Sequence, residues 1–483
     1  MTKLTRKAPI DLSVGVRAPA YDLAGVIAGI VHIGLGGFHR AHFARYTHDL
    51  MALDPTANRW GILGSGLRAN DVDLLAALDS QDGLYTLVER DPTGETKTII
   101  GSIVGTIDAS HSSAALLDAI GRPETKIVSI TVSERGYNLD GPSKTLDLDH
   151  PAIRQDLADP AAPRTVPGII VEGYRRRRAA KLSAFTSLCC DNIPHNGKVL
   201  RAAVLAFAEA SDPALAAWIA REARFPNSMV DRITPVPTAG EIAALVSETG
   251  VNDAAAVFAE SFRQWIIEDD FADGRPDWDR VGAQFVSDVT PYETMKLRLL
   301  NASHLSIAGL GTLSGYETIE ESINDPLIRR FMIRLMDAET GPTLPPVPGI
   351  DLSRYKATLI ERFANPAIRD LNQRVNVDAP VNLLLDPLRD RLVANQPVDL
   401  LALGLAAWCW RVRDEAHIGG SGLVHRHALE SGDDPTALLS IEPVFGSLGR
   451  DPRLIEAVGS WLSALSTGGV AGALAEAGKK GLL

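Results

Sequence analysis

The stretch GIVHIGLGGFHR, residues 29–40, carries the decision about the fold. Residues 29–33 are a short apolar run bounded by glycine, the pattern of a buried strand. A glycine-rich turn follows, and then a helix that should begin near Phe38 and run through Leu50. Strand, glycine turn and helix together form the context a dinucleotide phosphate needs. Glycines let the backbone approach a pyrophosphate, and the helix amino terminus faces its charge. Of the G-x-G-x-x-G spacing, Gly34 and Gly36 are in place, and His39 stands where the third glycine would be. On these residues alone, a plain tight turn before a helix remains the alternative.

Working outward, residues 1–30 read as an irregular arm. Residues 60–63 are a second apolar run leading into GSGLRAND, residues 64–71. If that run is the second strand, its end should carry an acid for the adenosine ribose. Asn70 and Asp71 are the candidates, and a helix N-cap is the competing role for either. Residues 84–89 and 98–104 suggest a hairpin, with Asp91-Pro92-Thr93-Gly94 as the turn. Residues 127–132 form another buried run whose end, Thr131 and Val132, falls on the cofactor side and leads into SERGYN. Residues 184–190 form the next run, ending in Asp191 and Asn192. Ligands of open parallel sheets sit beyond the carboxyl ends of the strands, which places Asn192 where a substrate could be touched. Ordinary turn chemistry is the alternative for this Asp-Asn pair.

Arg175 to Arg178 read as a solvated helix face. Residues 197–222 are helical in pattern. Residues 225–235, FPNSMVDRITP, look irregular and hold Asp231 and Arg232. Residues 260–276 have strand and turn character. Beyond residue 291 the patterns are helical, at 327–339, 352–363, 386–393, 400–410 and 453–465. The predicted architecture is α/β: a Rossmann-type dinucleotide-binding domain over residues 1–285, then a mostly helical domain over residues 286–483. The active site is expected at their interface.

The second decisive stretch is PYETMKLRLLNASHLSIAGLGTLSG, residues 291–315, which reads as one helix. Four polar residues interrupt its apolar part. At about 100° per residue, with Lys296 as zero, Glu293 falls at roughly 60°, His304 at roughly 80° and Asn301 at roughly 140°. All four share one broad face. A lysine whose ammonium is disfavoured by burial is a usable base near neutral pH, and an amide can donate to a developing oxyanion. A surface helix with a solvated polar stripe is the bland alternative, but the flanking residues are too apolar for it.

Composition excludes several classes. A net charge of −12 over 483 residues argues against a nucleic-acid surface, which needs clustered Lys and Arg. The three cysteines, Cys189, Cys190 and Cys409, offer no disulfide framework, and a reducing cytoplasmic setting is the expectation. The amino terminus has no signal-peptide core, and no run of about 18 apolar residues suggests a membrane span. His39 and His42 fall short of a zinc ligand set, and no H-E-x-x-H, Walker loop or G-x-S-x-G elbow occurs. A Schiff-base lysine would leave the glycine turn unexplained. A nucleotide sensor without catalysis would keep that turn but would not need the polar helix face.

KLRLLNASH, residues 296–304, resembles the K-x-x-x-x-N-x-x-H signature of the long-chain polyol dehydrogenases, the mannitol 2-dehydrogenase and fructuronate reductase group. IVHIGLGGFHRAH, SITVSERGY, FPNSMVDRITP, FRQWIIEDDF and PVPGIDLSRY look like further blocks of that family, so the resemblance covers nearly the whole chain. It implies a Rossmann-type domain plus a helical domain. It implies Lys296 as the general acid-base of a zinc-independent enzyme, with no metal. Asn192 and Asn301 would hold the reacting oxygen, and His304 would contact a substrate hydroxyl and position the lysine. Glu293 would pass protons between Lys296 and solvent. Asp231 and Arg374 match substrate-pocket positions, and Gly34, Gly36, Phe38 and Arg40 match the cofactor turn.

Two departures bear on specificity. Many relatives have Glu-Asp where this chain has Asn70-Asp71, which implies NAD with NADP as a secondary cofactor. Relatives also tend to carry a lysine near the position of Asn382. The implied reaction is interconversion of a hexitol and a ketose, D-mannitol and D-fructose. Fructuronate reduction is the alternative within the group. The expected partners are a small-molecule polyol or sugar acid, with the chain a monomer or small homo-oligomer.

Overall fold

The computed structural model describes residues 3–7, 15–140, 145–417, 423–431 and 434–483. The chain divides into two compact units, Met1–Val289 and Thr290–Leu483.

The first unit is built on a five-stranded sheet. Its strands, in spatial order, are Ile103–Asp108, Gly61–Gly66, Ala28–Ile33, Ile127–Ile130 and Thr186–Cys189. Every neighbouring pair is parallel. Parallel strands are covered on both faces, so they read as continuous apolar runs. Alternate residues feed the two faces. Val31, Ile33, Val128 and Ile130 pack with Leu116, Ile120, Ile169 and Phe207 on one side. Ile30, Ile62, Ile103 and Ile127 pack with Tyr46, Leu50 and Trp60 on the other. Strand order reverses between Ala28–Ile33 and Ile127–Ile130, and a ligand crevice is expected beyond their carboxyl ends.

Several elements differ from the sequence expectation. Residues 98–104 split: Gly94–Ile100 pairs antiparallel with Tyr85–Asp91, while Ile103–Asp108 joins the parallel sheet. Residues 225–235 are not wholly irregular, because Ser228–Asp231 is a strand paired antiparallel with Gln264–Glu268. The expected helix 197–222 is two, Asn196–Ser211 and Pro213–Glu222, with Asp212 capping the second through the backbone N–H of Leu215. The first helix also breaks, at His42, into Gly37–Ala41 and Phe43–Leu53. Of the expected arm, residues 1, 2 and 8–14 lie outside the described residues. Val16–Arg17 pairs with Gly94–Ile100, and Leu4 is buried. Arg177 corrects the reading of its neighbourhood as a solvated face. It is buried, and its guanidinium donates to the carbonyls of Arg122, Thr125 and Ser183.

In the second unit, the described residues contain helices and no strand. The 291–315 stretch is a continuous helical run, but not a uniform one. Thr290–Met295 is α-helical, Lys296–Asn301 is a π-helix and Ala302–Leu313 is α-helical again. Ala302–Leu313 is buried nearly all round and packs against Ile319–Asn324, Asn372–Asp378 and Asp399–His417. Glu339 caps the last of these, accepting from the backbone N–H groups of Leu400 at 2.9 Å and Leu401 at 2.7 Å. Among the described residues no helix is long and apolar enough to cross a membrane.

Candidate active site

Gly34 follows the first sheet strand with φ +97°, and a Cβ there would lie 1.9 Å from the Thr131 carbonyl oxygen. Only glycine fits both demands. His32 braces this turn from below. Its Nε2 lies 3.0 Å from the Gly34 carbonyl and 3.0 Å from Thr131 Oγ1, and its Nδ1 lies 2.9 Å from Ser129 Oγ. His39, at the third-glycine position, stacks on His32 with ring centroids 3.4 Å apart. Burial holds His32 neutral, its pKa lowered to about 3. A Cβ on Gly36 would meet nothing within 4 Å, so its backbone faces open space.

That space belongs to a cleft of about 520 Å³. Gly34, Gly36, Asp71, Thr131 and Val132 line it. Asp71 ends a 3-10 turn, Ala69–Asp71, after the second strand, and its carboxylate accepts from Arg68 N at 3.0 Å. A Cβ on Gly66 would lie 2.5 Å from Asp71 Cβ, so that glycine lets the acid sit against the strand end. The guanidinium of Arg68 donates to the Val132 carbonyl at 3.0 Å. An open glycine turn before a helix, with an acid at the next strand end, fits a dinucleotide.

Three of the residues named from the sequence do not line the cleft. Phe38 stacks on His42 at 4.9 Å, and Asn70 is exposed. Arg40 is buried, lies over the Tyr85 ring and donates to the Ala255 carbonyl. Its charge is committed to holding the helix against the neighbouring sheet.

At the end of Thr186–Cys189 the chain turns through Asp191 and Asn192. Asn192 is exposed, and Asp191 is buried. Asn196 pins this turn, its Nδ2 donating to the carbonyls of Asp191 at 2.9 Å and Ser228 at 2.7 Å. Ser228–Asp231 ends in the buried Asp231. Ser133 has φ 64° and ψ 166°. That region is nearly confined to glycine and costs about 1–3 kcal/mol for other residues.

In the second unit, Glu293, Lys296 and His304 are buried on the helical run, and Asn301 is half-buried. The π turn modifies the helical-wheel estimate. A π turn closes after an extra residue, so side chains five apart come toward one side. Asn301 is five residues after Lys296 and is therefore nearer the lysine face than an α-helix would put it. His304 Nε2 lies 3.0 Å from Asp370 Oδ2, within ion-pair range but off the line of a full hydrogen bond. Its ring rests on Phe363 at 5.2 Å. Arg374 donates to Asp370 Oδ1 through Nε at 2.9 Å and Nη2 at 2.5 Å. Burial pushes the Asp370 carboxyl up, but His304 and Arg374 outweigh it and hold the group below the usual carboxylate range. Arg374 is half-exposed, with Nη1 3.5 Å from Asp378. Asn382 is exposed at the start of Asn382–Val393.

Asp370 and the π turn escaped the sequence reading. Asp370 precedes Arg374 by four residues, a spacing that brings opposite charges together on a helix and could have flagged it. Among the described residues no three His, Cys, Asp or Glu side chains converge as a metal-binding group.

Residues 28–280 match the mannitol dehydrogenase Rossmann domain, and residues 288–466 match the mannitol dehydrogenase C-terminal domain. The chain is 45% identical to D-mannonate oxidoreductase of Escherichia coli over 404 residues, 83% of each chain. It is 38% identical to mannitol 2-dehydrogenase of Aspergillus fumigatus over 474 residues, 94% of each. Among solved structures it resembles the Pseudomonas fluorescens mannitol 2-dehydrogenase ternary complex with NAD and D-mannitol. That match has a TM-score of 0.88 and 40% identity, and covers 99% of this chain and 100% of the other.

Proposed function

The chain belongs to the mannitol dehydrogenase family of oxidoreductases, and from that premise we propose an NAD-dependent, metal-independent polyol dehydrogenase that interconverts D-mannitol and D-fructose. The reading rests above all on the buried Glu293, Lys296 and His304 of one helical run, with Asp370 behind the histidine.

The roles follow from the chemistry of the groups. Neutral Lys296 takes the proton of the substrate hydroxyl, and in the reverse direction its ammonium protonates the ketone oxygen. The amides of Asn192 and Asn301 donate to that oxygen as negative charge builds there. His304, held by Asp370, orients the substrate and the lysine. Glu293 links Lys296 to solvent. Asp231, Arg374 and Asn382 contact the rest of the substrate. Gly34, Gly36, Asp71, Thr131 and Val132 would hold NAD, which when bound supplies the hydride chemistry.

The choice between a neutral polyol and a sugar acid turns on Arg374. A carboxylate in a dry pocket needs a paired cation. Two donor groups of Arg374 are already engaged by Asp370, with Asp378 close by, so an incoming carboxylate would meet acids beside the arginine. Asn382 is an amide and cannot neutralise a charge. These features favour the polyol. The 45% identity to D-mannonate oxidoreductase favours the second reading, fructuronate reduction to D-mannonate.

Comparing kcat/KM for fructose and fructuronate with NADH, after exhaustive chelation, tests the proposal. Fructose should win, and activity should survive the chelator. A fructuronate preference above about tenfold, roughly 1.4 kcal/mol, would establish the acid reading instead. Arg374→Leu should then abolish that preference and Asn382→Lys should strengthen it. Activity lost to the chelator and restored by zinc would refute the metal-free part.

Asp71 carries a separate expectation. Its carboxylate would accept from the ribose 2′-hydroxyl and repel a 2′-phosphate. Asp71→Ala should raise the NADP-to-NAD ratio of kcat/KM by roughly tenfold, the scale of one charge interaction at a partly exposed site. Because Asn70 is uncharged, the unmodified chain should already show some NADP activity. A wild-type preference for NADP would overturn the assignment and turn attention to Arg68.

A further inference from the structure

We propose that Asp191 is a positioning residue that locks the cofactor-side loop at Val132 and Ser133 to the turn carrying Asn192. The inference rests on the proposed role of Asn192 as an oxyanion donor. Asp191 follows one sheet strand, and Val132 and Ser133 follow its parallel neighbour, whose Ile130 pairs with Cys189. The Asp191 carboxylate spans the gap between the two strand ends. Oδ1 accepts from the backbone N–H of Ser133 at 2.7 Å, and Oδ2 accepts from that of Val132 at 3.1 Å. The Tyr137 hydroxyl also donates to Oδ2 at 2.5 Å and lies 2.9 Å from Cys189 Sγ.

With the Cys189 thiol, which donates to Oδ2 at 3.9 Å, four donors therefore converge on one buried side chain. Only an acceptor-only group satisfies them all, since an amide would turn its own N–H toward one of them. Burial pushes the Asp191 carboxyl up, and its hydrogen-bond donors offset only part of that cost. The loop it holds is the strained one, with Ser133 at φ 64°. Val132 and Ser133 line the cleft together with Gly34 and Gly36. On the other side, the backbone carbonyl of Asp191 is fixed by Asn196, and the next residue is Asn192. One carboxylate thus ties the surface that receives the cofactor to the residue that would hold the reacting oxygen. Its loss should loosen their mutual placement without removing either.

The test uses the full-length enzyme with NAD and with D-mannitol either unlabelled or deuterated at both carbon 2 and its symmetry-equivalent carbon 5. Asp191→Asn should lower kcat by roughly 10², the scale set by misplacement of reacting groups of about 1 Å. The KM for mannitol should change by less than about threefold, and the primary deuterium isotope effect should rise, because hydride transfer becomes limiting. Adding Ser133→Gly should recover about tenfold of the loss, since glycine holds the loop conformation without help. A role in stability alone would lower the melting temperature and leave the isotope effect unmoved.

Tyr137→Phe removes a single donor and keeps the carboxylate. It should lower kcat about threefold with a rise in the isotope effect, and it serves if Asp191→Asn does not fold. Wild-type kcat and isotope effect in either folded variant would overturn the inference alone. A wild-type chain that reduces NAD with neither mannitol nor mannonate would overturn the reading of the reaction as well.

Discussion

Lys296→Ala is expected to cut turnover by roughly 10²–10⁴, the usual worth of a positioned proton-transfer group, while leaving NADH affinity within about twofold. The expectation separates the two halves of the machinery. Lys296 is buried at the start of the π turn, on the second unit. The groups proposed to hold NAD lie in the first. Removing the amine deletes the base for the hydroxyl proton and the acid for the ketone oxygen, so both directions should suffer alike. Steady-state kcat in each direction, with NADH affinity from its fluorescence, measures the effect. Near wild-type turnover would refute the assignment, and a large loss of NADH affinity would mean the lysine does something other than proton transfer. His304→Ala should be milder, because Asp370 and His304 act on the lysine and the substrate without replacing the base.

The second large effect is expected at the amides. Asn301→Ala and Asn192→Ala should each lower kcat by roughly 10²–10³, the range for loss of one donor to a developing oxyanion. Because the charge exists mainly in the transition state, kcat should fall much further than KM rises. Asn301→Asp should be worse than Asn301→Ala, since a carboxylate would set a like charge against the forming oxyanion. The pair also tests whether the amides act on one atom. Two groups on the same oxygen should be non-additive, with the double variant losing less than the product of the single losses. Full additivity, or an effect confined to KM, would assign them to substrate binding alone.

The parts of this molecule that sequence reveals are those in which local pattern and tertiary role coincide. Residues 30–33, 62–63 and 127–130 are apolar because parallel strands are buried on both faces, and the run itself marks the strand. Gly34 is legible because its backbone conformation excludes a side chain. Ser228–Asp231 is not legible, because its polar ends and flanking prolines resemble a loop, and the Gln264–Glu268 partner that makes it a strand is distant in sequence. Arg177 misleads for a similar reason. A run of four arginines looks solvated, yet this one finds carbonyls from two other segments. The four polar residues of 293–304 were readable as a set, because helical spacing collects them. The π turn among them was not, since KLRLLNASH suits an α-helix equally well.

That turn has a consequence for how the segment can change over time. A substitution between Lys296 and Asn301 alters one side chain. Deleting one residue would do something different in kind. The π turn would close to an α turn that takes up the missing residue, so Ala302 and everything after it would keep nearly the same face and depth. His304, Leu305, Ile307 and Leu310 would keep their faces, and the change would fall on the spacing between Lys296 and Asn301. In evolutionary terms the turn is the segment's slack: one residue can be lost inside it while the helices on either side stay in register.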